Sequence, residues 1–244
     1  RRRNDRLLSN EWLWVLFMLL DLSMALLVFR LFGKSGLYTL IVANIILCNI
    51  QVIKIVELFG FTATLGNILY GSIFFATDLL GEVYGKKEAQ KGVWLGFFAL
   101  LMMTLFMQLS LRFSAAPGDF ASGALQTIFG FMPRVALGSF LAYLVSQFHD
   151  VWAYHFWRNK TGGKHLWLRN NFSTLVSQAI DSLVFCSVAF LGMFAAGTWV
   201  QILLTTYVFK LIVALVDTPF IYWGKHISSK KPVFGSDEVE RQPS

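Results

Sequence analysis

Apolar residues run through this chain in long blocks rather than in short alternating stretches. A helix that crosses a hydrocarbon core needs about 20 mostly apolar residues. Seven blocks approach or exceed that length, over 11–31, 36–56, 61–80, 92–113, 129–148, 172–195 and 200–223. Turn-forming linkers separate them, among them Gly33-Lys34-Ser35-Gly36, Ala115-Ala116-Pro117-Gly118-Asp119 and Ala196-Gly197-Thr198. The pattern predicts an all-α polytopic membrane bundle: a polar tail over 1–10, one transmembrane domain over 11–224 and a polar tail over 225–244. The longest connection, 149–171, is polar and aromatic and leaves no room for a separate soluble domain. The first block follows Arg1–Arg3 but reads as a spanning helix, not a signal peptide. It is too long for a signal core, lacks a small-residue cleavage site before Gly33, and carries Asp21 at its centre.

Composition supports the same class. Charged residues make up 14% and hydrophobic residues 56%, with a mean hydropathy of +0.58. Soluble domains carry roughly 25% charge, because their large surface needs polar cover. Cys48 and Cys186 both lie in apolar runs, which excludes a disulfide scaffold and makes them small buried hydrophobes. The net charge of +7 is explained by topology. If seven spans cross, one side holds 13 basic residues: Arg30, Lys34, Lys86, Lys87, Lys91, Arg158, Lys160, Lys164, Arg169 and four in the C-terminal tail. The other side holds Lys54 and Arg112. Basic loops stay inside, so the C-terminus is expected in the cytoplasm and the N-terminus outside. The N-terminal Arg1, Arg2, Arg3 and Arg6 depart from that rule. No nucleic-acid partner is needed to account for the charge.

Ionisable residues within the spans are costly and mark function by default. They are Asp21, Asp78, Arg134, Asp181, Lys210 and Asp217, with Asn44, Asn49, Gln51, Asn67, Gln178 and Tyr207 as uncharged companions. Asp78 and Glu82 are four residues apart and share one helix face. They need a cation, a proton or a ligand's donors between them, although Glu82 can also sit in interfacial water and pair with Lys86. Thr174, Ser177, Gln178 and Asp181 form a polar stripe on an apolar helix. Thr174 and Ser177 read equally as glue between helices. Gln178 with Asp181 supplies acceptors and a donor fit for the edge of a heterocyclic base. Tyr207, Lys210, Ala214 and Asp217 share a face of the last span, with Lys210 and Asp217 two turns apart and each expected to meet another helix. Arg134, after Pro133, either snorkels to the interface or neutralises a carboxylate. There is no GxGxxG, no GxSxG and no zinc-like Cys/His spacing. The histidines His149, His155 and His165 and the tryptophans Trp152, Trp157, Trp167 and Trp223 read as interfacial residues.

The run Ala76-Thr77-Asp78-Leu79-Leu80-Gly81-Glu82-Val83-Tyr84-Gly85, followed by Lys86-Lys87-Glu88-Ala89, resembles the signature of the queuosine precursor transporters, also called the vitamin uptake transporter family. A second block agrees: Asp150-Val151-Trp152, Lys160-Thr161-Gly162-Gly163, Trp167-Leu168-Arg169-Asn170-Asn171, and Ser173 through Ser182. The resemblance covers about 36–223. It implies a bacterial or archaeal importer of 7-deazaguanines such as preQ0, preQ1 or queuine, set in the cytoplasmic membrane. It also implies a six-helix core similar to the substrate-binding subunits of energy-coupling-factor importers, with no ATPase subunit and no cofactor or metal. The block at 11–31 then becomes an extra N-terminal helix.

A deazaguanine offers N–H donors and an O6 acceptor, which a carboxylate and an amide or cation can satisfy together. An aminomethyl group adds a cation for a second carboxylate. The expected substrate-binding residues are therefore Asp78, Gln178, Asp181, Asn171, Asn44, Tyr207 and Lys210. Glu82, Arg134 and Asp217 are expected as coupling or structural charges, and three carboxylates, Asp78, Glu82 and Asp181, are expected around one cavity. Partners are the small-molecule substrate and membrane lipid, with a homo-oligomer left open. Another purine or a vitamin is the alternative substrate. An intramembrane enzyme or a structural subunit is the alternative outside transport. No Ser or Cys stands beside a His within a span, which weighs against the enzyme. A structural subunit would not need several inward carboxylates.

Overall fold

The computed structural model describes residues 9–160, 166–228 and 232–234. In chain order they form α1 (Asn10–Gln51), β1 (Ile55–Leu58), β2 (Phe61–Thr64), a 3-10 turn (Leu65–Asn67), α2 (Leu69–Tyr84), α3 (Lys86–Ser110), α4 (Ser122–Phe129), α5 (Met132–Lys160), α6 (Leu166–Phe190) and α7 (Ala196–Ser228). Among the described residues four stretches are long and apolar enough to cross a membrane: Asn10–Gln51, Lys86–Ser110, Ser122–Ser146 and Ala196–Asp217. Shorter helices complete an all-α polytopic membrane protein. Many large apolar side chains are exposed, while Asp21, Asn44, Lys210 and Asp217 are buried. On α3, Trp94, Phe98, Leu101, Leu105 and Leu109 form an exposed apolar stripe, Leu101 at 63% exposure, a face suited to lipid.

The chain divides into two compact units, Arg1–Met103 with Ile212–Ser244, and Thr104–Leu211. In the first, α1 has 42 residues and would reach about 63 Å if straight, twice a hydrocarbon core of about 30 Å. Gly33 prevents this. Its φ of 58° and ψ of −134° lie outside the helical region, in a conformation open mainly to glycine. The chain reverses there. Asn44 Nδ2 donates to Asp21 Oδ1 at 3.2 Å across 23 residues, which a straight helix would hold about 35 Å apart. A Cβ on Gly36 would stand 2.7 Å from the Val28 carbonyl oxygen, so the two halves meet closely beside the turn. The predicted runs 11–31 and 36–56 are these halves, 10–32 and 34–51.

The span expected over 61–80 is corrected by the structure. Residues 55–64 form an antiparallel hairpin in which Leu58 pairs with Phe61. Phe59 and Gly60 turn the chain at φ 53° and 80°, the pair of positive φ values that a tight primed hairpin turn requires. β-branched Ile55, Val56, Thr62 and Thr64 suit strands. Asn67 Nδ2 donates to the Thr64 carbonyl at 3.3 Å and thereby ties the 3-10 turn to β2. The helix itself starts only at Leu69 and is 16 residues long, about 24 Å. α2 packs on α1. Gly92 and Gly96 of α3 sit against Ile41 and Ile45, with the four-residue spacing of small residues that lets membrane helices approach. The hairpin lies at the start of α1, where Asn10 Nδ2 donates to the Glu57 carbonyl and the Phe59 N–H donates to Glu11. The opposite end of this unit gathers the Gly33 turn, the α2–α3 connection and the end of α7. There the N–H of Val233 donates to the Arg30 carbonyl at 3.2 Å, Lys34 meets Glu88 at 3.7 Å and Lys225 meets Glu82 at 2.8 Å.

In the second unit α5 packs on α6. Asp119 precedes α4 and accepts from the N–H groups of Ala121 and Ser122 and from the Ser122 hydroxyl. These bonds hold its carboxyl below the usual carboxylate range, the Ser122 hydroxyl contributing most. Gln108 Nε2 donates to the Phe129 carbonyl at the end of α4. Pro133 then sits in the first turn of α5, where a missing N–H costs nothing. Phe131, Phe185 and Phe194 surround Phe190 at centroid distances of 6.2, 5.7 and 6.0 Å. The helices overrun the predicted runs: α5 reaches Lys160 beyond 148, α6 begins at Leu166 before 172, and α7 covers 196–228. Polar helix ends continue past the apolar blocks because backbone bonding does not stop where lipid does.

Candidate functional site

α6 and α7 carry the polar cluster of the second unit. Asp181 Oδ2 accepts from Lys210 Nζ in a buried ion pair, Lys210 at 3% side-chain exposure and Asp181 at 20%. The sequence expectation that Lys210 meets another helix holds. One turn before Asp181, the Oε1 of Gln178 is buried and has no hydrogen-bond partner among the described residues. Ser182 Oγ, four residues after Gln178 and fully buried, is in the same state. Thr206, one turn before Lys210, is also buried and stands beside the Cys186 thiol. Unsatisfied buried acceptors are rare, and each calls for a partner such as a ligand or water. Ser182 and Thr206 are the residues the sequence reading missed. A hydroxyl on a membrane helix bonds its own backbone so often that type and spacing alone did not single them out.

Other members of the α6 stripe serve structure. His149 Nδ1 lies 3.0 Å from Ser177 Oγ, a link between α5 and α6. The Tyr207 hydroxyl donates to the Leu175 carbonyl at 3.4 Å. Trp199 Nε1 donates to the Cys186 carbonyl at 3.0 Å. The side chains of Asn171 and Thr174 lie outside the described residues. Among the described residues Arg134 bonds backbone carbonyls and not a carboxylate. Its Nε donates to the Val188 carbonyl at 2.6 Å and its Nη2 to the Leu191 carbonyl at 2.5 Å. Carbonyls at a helix C-terminus have no intrahelical partner, and a guanidinium near them satisfies them directly.

The first unit holds two further groups. Asp78 and Glu82 of α2 and Asp217 of α7 are the acidic residues of this group, with the charge of Asp78 reaching Asp217 and that of Glu82 reaching Asp78. Asp217 is buried at 3% exposure, whereas Asp78 is exposed. Pro219, inside α7, deprives the Leu215 carbonyl of its helical bond in the same turn as Asp217. Glu82 is corrected from a Lys86 partner to Lys225, and the same carboxylate raises the Lys225 ammonium above its usual range through a hydrogen bond. The carboxylate that accompanies Asp78 and Glu82 in this unit is Asp217, while Asp181 belongs to the other unit. The second group is Asn44 with Asp21 and Ser72, all buried. Asn44 Nδ2 donates to Asp21 at 3.2 Å and to Ser72 Oγ at 2.5 Å, so its amide N–H groups are already engaged. A cleft lined by Ser23, Leu26, Arg30 and Trp223 contains none of the expected site residues. Among the described residues no group of His, Cys, Asp and Glu could hold a metal ion.

Comparison with known proteins places this architecture. The family model described as "Putative vitamin uptake transporter" matches residues 64–224. A Bacillus subtilis (strain 168) protein named "Probable queuosine precursor transporter" is 48% identical over 217 residues, covering 88% of this chain and 95% of that protein. The Escherichia coli (strain K12) "Queuosine precursor transporter" is 30% identical over 164 residues, 66% of this chain and 72% of that protein. A Haemophilus influenzae (strain ATCC 51907 / DSM 11121 / KW20 / Rd) protein named "Probable queuosine precursor transporter" is 30% identical over 161 residues, 65% of this chain and 66% of that protein. No solved structure matches the chain. The family match runs from the hairpin's last residue to Gly224 in α7, including Asp78, Asp217 and the Lys210–Asp181 pair, and with this coverage and identity the chain belongs to the vitamin uptake transporter family, whose relatives are named queuosine precursor transporters.

Proposed function

We propose that this chain imports 7-deazaguanine precursors of queuosine across the bacterial cytoplasmic membrane, acting as a transporter without an ATPase subunit and not as an enzyme. The observation that supports this reading best is the buried cluster of Gln178, Asp181 and Lys210, with an acceptor left open on Gln178. A deazaguanine edge presents adjacent N–H donors and a carbonyl acceptor. Gln178 Oε1 and Asp181 take the donors, and Lys210 gives a hydrogen to O6. Ser182 and Thr206 supply hydroxyls to the same base or to water bridging it. Each of these groups would be costly to bury empty, and substrate binding satisfies them.

In this reading Asp78 and Asp217 form a separate acidic group in the first unit that favours a cationic ligand. Asn171 and Tyr207 are secondary contacts, Asn44 supports the fold, and Glu82 and Arg134 are structural charges. The C-terminus faces the cytoplasm. In support, the end of α7, the Gly33 turn and the α2–α3 connection share one end of their unit, and these are basic segments. Uptake of labelled queuine, preQ0 and preQ1 into cells unable to make them tests the function. Expression of this chain should confer saturable uptake of at least one, and cells that gain no uptake of any would refute it.

A further inference from the structure

Asp21 is used by none of the roles above. It sits in the first half of α1, halfway between the N-terminus of the helix and the turn beyond Gly33, at 8% exposure. Its Oδ1 accepts from Asn44, whose amide also donates to Ser72 Oγ of α2. Both Asn44 and Ser72 are neutral. Its Oδ2 is buried, with no hydrogen-bond partner among the described residues. Charged residues on the same helix stand far off: Glu11 and Arg30 are ten and nine residues away, about 15 and 14 Å along the axis. Helix α7 reaches this level of α2 through Val213, which a Cβ on Gly71 would strike. On α7, Lys210 comes three residues before Val213 and is held by Asp181, while Asp217 comes one turn after it and faces Asp78. Asp78 itself lies six residues past Ser72 on α2. α3, which packs on Ile41 and Ile45, carries its charges Lys86, Lys87, Glu88 and Lys91 in its first two turns, with Lys91 over the Tyr38 ring, and among the described residues Asp21 has no ion pair.

A carboxylate at this depth without a counter-charge is far more costly than the neutral acid. We propose that the Asp21–Asn44–Ser72 cluster is a proton-binding site that couples substrate entry to proton entry. The step is simple and balanced. A proton from water adds to the open oxygen of Asp21, giving a neutral carboxylic acid, and leaves to water when the cluster opens on the other side. The Asn44 amide, which also donates to Ser72 Oγ of α2, stabilises the ionised form during exchange. This inference rests on the import of 7-deazaguanines proposed above.

The test uses the purified full chain in vesicles of phosphatidylethanolamine and phosphatidylglycerol, with a labelled 7-deazaguanine that the chain is found to transport. Counterflow without a gradient reports transport itself. Accumulation under a gradient of one pH unit, acid outside, reports coupling. One coupled proton supports about tenfold accumulation per pH unit. Wild type should approach that ratio. Asp21→Asn, which keeps the hydrogen-bonding shape but cannot ionise, should fall to a ratio near one with counterflow intact, and Asp21→Glu should recover part of the response. Equal accumulation by wild type and Asp21→Asn would overturn the proposal, as would wild type that exchanges substrate but ignores the gradient. If Asp21→Asn does not accumulate in the membrane, Asp21→Glu decides: a shifted pH of half-maximal uptake supports the site and an unshifted one overturns it. Absence of counterflow by wild type would instead refute the transport reading, and the coupling with it.

Discussion

Lys210 is almost fully buried while its partner Asp181 keeps a fifth of its side chain exposed, and this asymmetry sets what each substitution does. Removing Asp181 strands an ammonium in the interior, which costs about 3–5 kcal/mol. Removing Lys210 leaves a carboxylate that already reaches open space. Asp181→Ala should therefore lower thermal stability in detergent more than Lys210→Ala, and the double variant should recover part of the loss; equal losses would contradict the burial argument. Gln178→Ala removes an acceptor without disturbing the pair. It should leave the fold intact and weaken substrate binding by about 1–3 kcal/mol, roughly 5–150-fold, as read by titration of the purified protein. Asp78 shares its unit with Asp217. Two adjacent carboxylates without a cation favour a positively charged ligand, so Asp78→Asn should weaken the aminomethyl precursor more than the neutral nitrile, by about tenfold or more. Competition between the two ligands measures that ratio directly. Residue type and spacing made Asp181, Lys210 and Gln178 readable in the sequence. Partner choice was not readable, because Glu82–Lys225 and Arg134 with its carbonyls join positions far apart in the chain.

Helix lengths follow from backbone bonding and their ends from single residues. Gly33 turns one 42-residue helix into two. Gly33→Ala forces a Cβ into a conformation nearly closed to L-residues and should cost about 1–3 kcal/mol, seen as a lower melting temperature in detergent. At α4 the anchor is Asp119. Its carboxyl is held low by bonds to Ser122 and Ala121, so its contribution is complete above its unfolded value near 3.9 and fades as the pH falls through its lower folded value. Asp119→Ala should speed hydrogen exchange at Ser122–Phe129 at neutral pH, with the difference from wild type vanishing in strong acid. The seven apolar runs were legible as helices because length and hydropathy suffice in lipid. The β1–β2 hairpin was not. Its residues are apolar enough to join the next run, and only the positive φ of Phe59 beside Gly60, a property of the folded chain, separates them.

Across the whole molecule, topology and transport make separate demands. The proposed orientation, drawn from the basic-residue asymmetry, has the end of α7 inside and the hairpin outside. A cysteine at Ser228 should resist an impermeant thiol reagent in intact cells, while one at exposed Glu57 should react; the native Cys48 and Cys186 are fully buried and give little background. Reversed labelling would invert the orientation. Class could be read from hydropathy and charge alone, and the family from the run Ala76–Gly85. The open acceptor on Gln178 and the buried Ser182 hydroxyl emerged only once α6 was packed, since satisfaction of a polar atom depends on its neighbours. The most direct measurement of the central claim is equilibrium binding of labelled preQ1 and preQ0 to purified wild type and Gln178→Ala. Recognition of a deazaguanine edge by the α6–α7 cluster predicts saturable binding to wild type, displaced by unlabelled precursor and weakened roughly 5–150-fold in the variant. Saturable binding of the same affinity in both proteins would contradict it.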